Sequence, residues 1–216
     1  MNILKQYQTK GEIEVGLDEA GRGCLFGPVC VAGVIWIDED PEPSIEIKDS
    51  KKCTEKHRHR CYDYIKKNSK AYSIQMIDND KIDEENILKC TLNGMHLCLD
   101  EISNKNDIDK ILVDGNHFHT YYSKEQDEFI DHECIIKGDN FYKSIAAASI
   151  LAKTERDNYI LQLVEENPVL KKYDIHNNKG YGTKKHMEAI KEYGITQWHR
   201  KSFAPCKGML INQMIK

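Results

Sequence analysis

Val15-Gly16-Leu17-Asp18-Glu19-Ala20-Gly21-Arg22-Gly23-Cys24-Leu25-Phe26-Gly27 is the stretch around which the chain is organised. Val15 and Leu17 form the apolar end of a strand. Two adjacent carboxylates follow, then glycines bracketing a cation at Gly21-Arg22-Gly23. Adjacent strand side chains point to opposite faces. Both carboxylates therefore serve one site only if the chain bends at or just after Asp18, which the glycines permit. Glycines also leave backbone N–H groups open to a sugar or phosphate. Carboxylate oxygens beside an arginine and a bare backbone suit magnesium or manganese holding a phosphate. An acidic pair ahead of a Gly-rich turn also occurs at ordinary strand ends, so the rest of the chain decides.

Outward from this stretch, Ile13–Leu17 reads as a first strand and Pro28–Ile37 as a second, well-buried one. Asp38–Ser44, with Pro41 and Pro43, is a loop. Thr54 caps a helix running to about Lys67. Ala71–Ile77 is a third strand, and one or two helices fill Asp80 to about Ser103. Lys110–Asp114 and Glu133–Lys137 are short strands separated by the loop G-N-H-F-H-T-Y-Y-S. Ser144 to about Glu166 is a long Ala-rich helix stopped by Asn167-Pro168. A loop over Tyr173–Thr183, a helix over Lys184–Glu192, and a tail with a short terminal helix complete the chain. This order predicts an α/β fold with a mixed five-stranded sheet flanked by helices and a C-terminal helical extension.

A length of 216 residues suits a single domain, 1–216, with about 168–216 as a C-terminal helical and loop segment. No apolar run approaches the roughly 18 residues of a membrane span. The N-terminus has no signal-length apolar stretch, so a cytoplasmic protein is the expectation. Eight cysteines include no C-x-x-C pair, which argues against zinc, and with no secretion signal a disulfide framework is not expected either. The net charge of −4 is unevenly spread. Residues 1–139 carry 18 Lys+Arg against 28 Asp+Glu, whereas 140–216 carry 13 against 7. A basic C-terminal third can bind a polyanion, and an acidic remainder calls for cations; a solvated Lys-rich helical surface reads the same way.

Asp18, Glu19, Asp114 and Asp139 all fall at predicted strand ends or just beyond, where such sheets gather ligands. Four carboxylates can hold two metals about 3.5–4 Å apart, one activating water and the other stabilising a leaving oxygen. Asp114 in D-G-N and Asp139 in K-G-D-N can equally be turn formers. His117 and His119 are read as loop residues, because imidazole suits zinc better than magnesium. His57 and His59 are read as a solvated helix face, and Trp198 and Phe203 as core anchors.

D-E-A-G-R-G, D-S-K-K at Asp49–Lys52, L-V-D-G-N at Leu112–Asn116 and K-G-D at Lys137–Asp139 follow in order. S-I-A-A-A-S-I-L-A-K-T-E-R-D at Ser144–Asp157, N-K-G-Y-G-T at Asn178–Thr183 and H-R-K-S-F-A-P at His199–Pro205 complete the series. Together, over about residues 12–208, they resemble ribonuclease HII, the type 2 ribonuclease H family. The resemblance implies a ribonuclease H-like fold. It implies metal-dependent endonucleolysis of RNA in RNA–DNA hybrids and incision 5′ of single ribonucleotides in duplex DNA, leaving 3′-hydroxyl and 5′-phosphate ends.

By motif matching, Asp18, Glu19, Asp114 and Asp139 are the catalytic, Mg2+- or Mn2+-binding acids. Gly21, Arg22 and Gly23 read the 2′-hydroxyl through the backbone, and Tyr181 packs on the sugar of the following deoxynucleotide. Lys51, Lys52, Ser149 and Lys153 contact phosphates. Recognition of RNA requires sensing the 2′-hydroxyl in any case, and an aromatic ring can pack on a neighbouring nucleotide.

Cys53 and Lys201 depart from the family's usual Leu and Arg; Lys weakens any bidentate phosphate contact at position 201. The tail Q-M-I-K leaves no room for an aromatic clamp-binding motif, and a monomer is expected. Three rivals stand against this reading. A type 3 ribonuclease H, acting on longer hybrids only, would carry an additional N-terminal domain and a lysine at position 22. A DEDD exonuclease would space its first acids D-x-E. A catalytically dead binding module would not need all four acids.

Overall fold

The computed structural model describes residues 4–37 and 45–212. The expected acidic loop at 38–44 lies outside the described residues. The sheet runs β3-β2-β1-β4-β6-β5. Its strands are β1 (Glu14–Ala20), β2 (Val29–Ile35), β3 (Ala71–Ile77), β4 (Lys110–Asp114), β5 (Tyr121–Ser123) and β6 (Glu128–Ile135). β4 is parallel to β1 and to β6, and β5 is antiparallel to β6. The helices are α1 (Glu55–Asn68), α2 (Asn79–Glu85), α3 (Ile87–Ser103), α4 (Lys143–Glu166), α5 (Ile175–Asn178) and α6 (Lys184–Tyr193).

Six strands form rather than five. The sixth, β5, lies at the end of the segment read as a loop; three residues are too few to show a period, and only pairing with β6 makes it a strand. β1 also runs on through Asp18 and Glu19 to Ala20, so the bend expected after Asp18 falls instead at Gly21, whose φ is +88°. Beyond Tyr193 no helix forms up to Asn212, where the tail pairs Ile211 with Ile195. A terminal helix over the last four residues lies outside the described part. Asn86, left-handed in sense at φ 76°, separates α2 from α3.

The chain divides into two compact units. The first comprises Met1–Ala20, Val31–Gln75 and Leu92–Thr154. Its centre is β4, where Ile111, Leu112 and Val113 are fully buried, each stabilising the fold by about 1.5–3 kcal/mol. Gly16 lets β1 approach α4 closely, since a Cβ there would lie 2.4 Å from the Ile145 nitrogen. Leu112 and Tyr142 pack with Ile145 of the same helix. The second unit comprises Gly21–Cys30, Met76–Thr91 and Glu155–Lys216. Phe26, Ile160, Leu170, Tyr173, Ile190 and Ile195 are among its core residues, with Trp198 and Phe203 packed against them as anchors.

Candidate active site

Register brings the first two acids together. Leu17 pairs with Val113 across parallel strands, and Asp18 and Asp114 are the next residues on each. They therefore leave neighbouring strands at one level and on one face. Asp18 is 5% exposed; its Oδ1 accepts the Glu19 N–H at 2.7 Å, and Ser149 on α4 bonds its carboxylate. Ser149 in turn shares a 2.9 Å hydrogen bond with Ser50. Asp114 Oδ1 accepts the Gly138 N–H at 2.7 Å. After β6 the chain turns through left-handed Lys137 into a short 3-10 turn over Gly138–Asn140. That turn carries Asp139, whose Oδ1 accepts from Asn140 at 2.8 Å. Asn140 also accepts from the Lys52 ammonium.

The electrostatics show strain between like charges. Burial, then the charges of Glu19 and Asp114, push the Asp18 carboxyl well above the usual carboxylate range. Burial raises Asp114 as well, against the pull of the Gly138 N–H and Lys51. Asp139 is raised by burial and by the charges of Asp49 and Asp114. Asp49 is a fifth acid that sequence reasoning did not single out. It caps the 3-10 turn Ser50–Lys52 by accepting the Lys51 N–H at 2.9 Å, and it lies 3.6 Å from the Lys52 ammonium. Its motif, D-S-K-K, had drawn attention to the lysines alone.

The donor set is all oxygen, with burial and mutual repulsion that a hard divalent cation relieves. In that chemical sense the residues fit magnesium or manganese. Among the described residues no three Asp, Glu, His or Cys side chains form a ready metal-ligand cluster. The four acids are thus an electrostatically coupled group, not a closed shell. Lys52 is exposed and Lys153 half-buried on α4. His117 and His119 stack near one another in an exposed loop. His57 is more engaged than a solvated face requires: its Nε2 lies 2.8 Å from the Glu46 carbonyl. All eight cysteines are free thiols, seven of them buried.

In the second unit, the Gly21–Gly23 turn and the Tyr181 loop are neighbours. Leu25 donates its N–H to the Gly180 carbonyl at 2.8 Å, and the Tyr181 hydroxyl is hydrogen-bonded to Cys24. Gly180, at φ +89°, is forced by the Phe26 carbonyl, which a Cβ would approach to 2.7 Å. Tyr181 remains 42% exposed, while burial of its hydroxyl raises the phenol pKa. Two buried arginines, Arg156 and Arg200, brace this region through backbone carbonyls. Their sequence blocks had been noted without either arginine being assigned a role. Lys201 pairs with Asp80 at 3.3 Å.

Residues 15–206 match the family model for ribonuclease HII. The chain is 44% identical over 201 residues to a ribonuclease HII of Bacteroides thetaiotaomicron, covering 93% of this chain and 94% of that one. It is 45% identical, with the same coverage, to one from Christiangramia forsetii. In three dimensions it resembles the ribonuclease HII of the Archaeoglobus fulgidus PCNA:RNase HII complex, with a TM-score of 0.68, 27% identity, and coverage of 90% and 97%. The fold is also that of Bst-RNase HIII, solved with Mn2+, at a TM-score of 0.70 and 19% identity over 93% of this chain and 70% of that one.

Proposed function

The chain belongs to the ribonuclease HII family, and we propose that it hydrolyses RNA in RNA–DNA hybrids and incises duplex DNA 5′ of a single embedded ribonucleotide. The products carry 3′-hydroxyl and 5′-phosphate ends. The observation that supports this best is the placement of Asp18 and Asp114 on one face of adjacent parallel strands, with Asp139 in electrostatic reach of Asp114.

Asp18, Glu19, Asp114 and Asp139 would hold Mg2+ or Mn2+. Because β1 stays extended through Glu19, that side chain leaves the strand on the face opposite Asp18 and would reach round the strand end at Gly21 to join the other three. Two bound cations supply activation of the attacking water and neutralisation of charge on the leaving oxygen. The chain's own residues do the rest. Ser149 orients the Asp18 carboxylate through its hydrogen bond. Lys51, Lys52 and Lys153 attract phosphates, a sequence-independent contribution that suits backbone binding. The backbone of Gly21, Arg22 and Gly23 senses the 2′-hydroxyl, and Tyr181 packs on the next sugar. Together these roles describe a cytoplasmic, monomeric enzyme of ribonucleotide removal from DNA. Among the described residues no helix is long and apolar enough to cross a membrane.

The test is a labelled duplex with one ribonucleotide, incubated with magnesium or manganese beside all-DNA and four-ribonucleotide controls. A single cut 5′ of the lone ribonucleotide is the expected result. Cutting confined to the four-ribonucleotide run points to the type 3 specificity, and no cutting with either metal leaves a binding module.

A further inference from the structure

Arg200 has no exposed surface, and its guanidinium is given over to main-chain carbonyls. Nε donates to Gly27 O at 3.0 Å, Nη1 to Arg22 O at 2.9 Å and Nη2 to Gly21 O at 2.8 Å. Burying a guanidinium is costly unless its donors are well satisfied, and here two of its bonds go to consecutive peptides of the Gly-Arg-Gly turn. Consecutive carbonyls in a strand point to opposite sides. Here the chain has left β1 at Ala20 and turns, with Gly21 at φ +88°, a conformation glycine reaches without steric cost. The backbone torsions of Arg22 within that turn bring both carbonyls to face Arg200. The turn is closed by the Cys24 N–H on Gly21 O at 3.2 Å. Behind it, Arg156 would meet any Cβ on Gly21 at 1.9 Å.

Peptide geometry converts this grip into a direction. In a trans peptide the N–H of each residue points opposite to the preceding C=O, and the described chain contains no cis peptide. With Gly21 O and Arg22 O turned into the buried guanidinium, the N–H groups of Arg22 and Gly23 point away from it. Both residues are exposed, and the space where a Gly23 Cβ would sit is open. Successive outward N–H groups form a concavity suited to an oxygen-rich ligand.

We propose that Arg200 is a positioning residue: by holding the Gly21 and Arg22 carbonyls it aims the Arg22 and Gly23 N–H groups at the 2′-hydroxyl and adjoining phosphate of a ribonucleotide. This rests on the ribonucleotide-incising function proposed above. Arg200 touches no substrate itself. Its specific requirement is the planar fork, which satisfies two neighbouring carbonyls at once; the single ammonium of lysine cannot reproduce that geometry. Burial lowers the Arg200 pKa to about 10, so the fork stays charged at neutral pH.

The experiment compares wild type with Arg200→Lys in magnesium. It measures KM for a one-ribonucleotide duplex and Ki for the same duplex as an all-DNA competitor. The expected result is a KM raised about tenfold, the scale of a hydrogen bond lost to a charged or well-aligned donor, with Ki unchanged. General destabilisation lowers the active fraction and leaves the ratio of KM to Ki intact. An unchanged ratio in folded Arg200→Lys overturns the positioning role. Should Arg200→Lys fail to fold, wild-type 15N amide spectra in EDTA decide. Larger shifts of Arg22 and Gly23 with the ribonucleotide duplex than with the all-DNA duplex support the role, and equal shifts overturn it. A wild type with no preference for the ribonucleotide duplex overturns the parent function as well, which separates the two failures.

Discussion

His199 Nε2 lies 3.0 Å from His186 Nε2, and the surrounding bonds dictate which ring donates. Thr196 gives its backbone N–H to His199 Nδ1 at 2.9 Å, so that nitrogen is unprotonated and the proton sits on Nε2. His186 receives it and is left with Nδ1–H, which donates to the Tyr181 carbonyl at 2.9 Å. The two neutral imidazoles thus relay a directed chain from Thr196 to the loop bearing Tyr181. A proton added to either ring sets two donors against each other.

Acid should therefore destabilise the fold through this pair. Burial and the neighbouring His186 hold the His199 pKa down to about 3, and burial lowers His186 against the opposing pull of the Tyr181 carbonyl and Asp174. Tyr173 and Phe26 press their rings on His199 and supply no carboxylate. The folded pKa lies below the unfolded value of about 6.5, so the unfolded chain binds the extra proton. The stability is complete above about pH 6.5 and is lost as pH falls toward 3. Urea midpoints should report a loss of about 2 kcal/mol between pH 7 and pH 5 from His199 alone. A dependence equally steep in His199→Gln would assign it to other groups.

Gly16→Ala tests the close approach of β1 to α4. The added Cβ would stand 2.4 Å from the Ile145 nitrogen and from the Ser144 carbonyl carbon, both backbone atoms that cannot swing aside. A loss of about 2–4 kcal/mol in urea unfolding is expected, at the upper end of overpacking costs. A loss below about 0.5 kcal/mol would show that the helix shifts freely.

Asp18→Asn should separate stability from activity. Burial and the charges of Glu19 and Asp114 disfavour the Asp18 carboxylate, so the neutral isostere should raise Tm in EDTA. Cleavage should fall by about a hundred- to a thousandfold, the order lost when a key electrostatic group is removed from an active site. Substantial activity in the folded variant removes Asp18 from the catalytic set.

Parts of the fold around these acids were legible in sequence, and Asp114 does end its strand as read. The bounds read for Lys110–Asp114 and Ala71–Ile77 match β4 and β3, since β-branched, apolar runs bounded by polar residues carry a local signal. Other features were not local. Asp49 looks like a polar turn residue until the fold brings its charge to bear on Asp139. Arg156 and Arg200 look like surface cations, because burial of an arginine depends on carbonyls from distant segments such as Lys179 and Gly21. The direction of the His186–His199 bond depends on a Thr196 amide that no residue pattern reports.

Asp49→Asn checks whether the fifth acid tunes the site. Asparagine is as good a cap as aspartate, so the turn at Ser50–Lys52 should persist and stability should change by less than about 1 kcal/mol. Removing the charge relieves Asp139 and weakens the local attraction for cations. The magnesium concentration for half-maximal cleavage should rise several-fold at unchanged maximal rate. An unaltered magnesium titration would limit Asp49 to its capping role.

Tyr181 separates ring packing from hydroxyl chemistry. The residue is 42% exposed, and its hydroxyl is hydrogen-bonded to the Cys24 thiol in the same unit. Tyr181→Ala removes the surface on which the neighbouring sugar would pack, a contact on the scale of aromatic stacking on a base, about 1–3 kcal/mol. Cleavage efficiency at a single ribonucleotide should fall by about ten- to a hundredfold. Tyr181→Phe keeps the ring and gives up only a partly exposed hydrogen bond, which costs about a kcal/mol or less. It should retain most of the wild-type kcat/KM. Equal losses in both variants would move the role from the ring to the hydroxyl, and no loss in either would remove Tyr181 from substrate recognition.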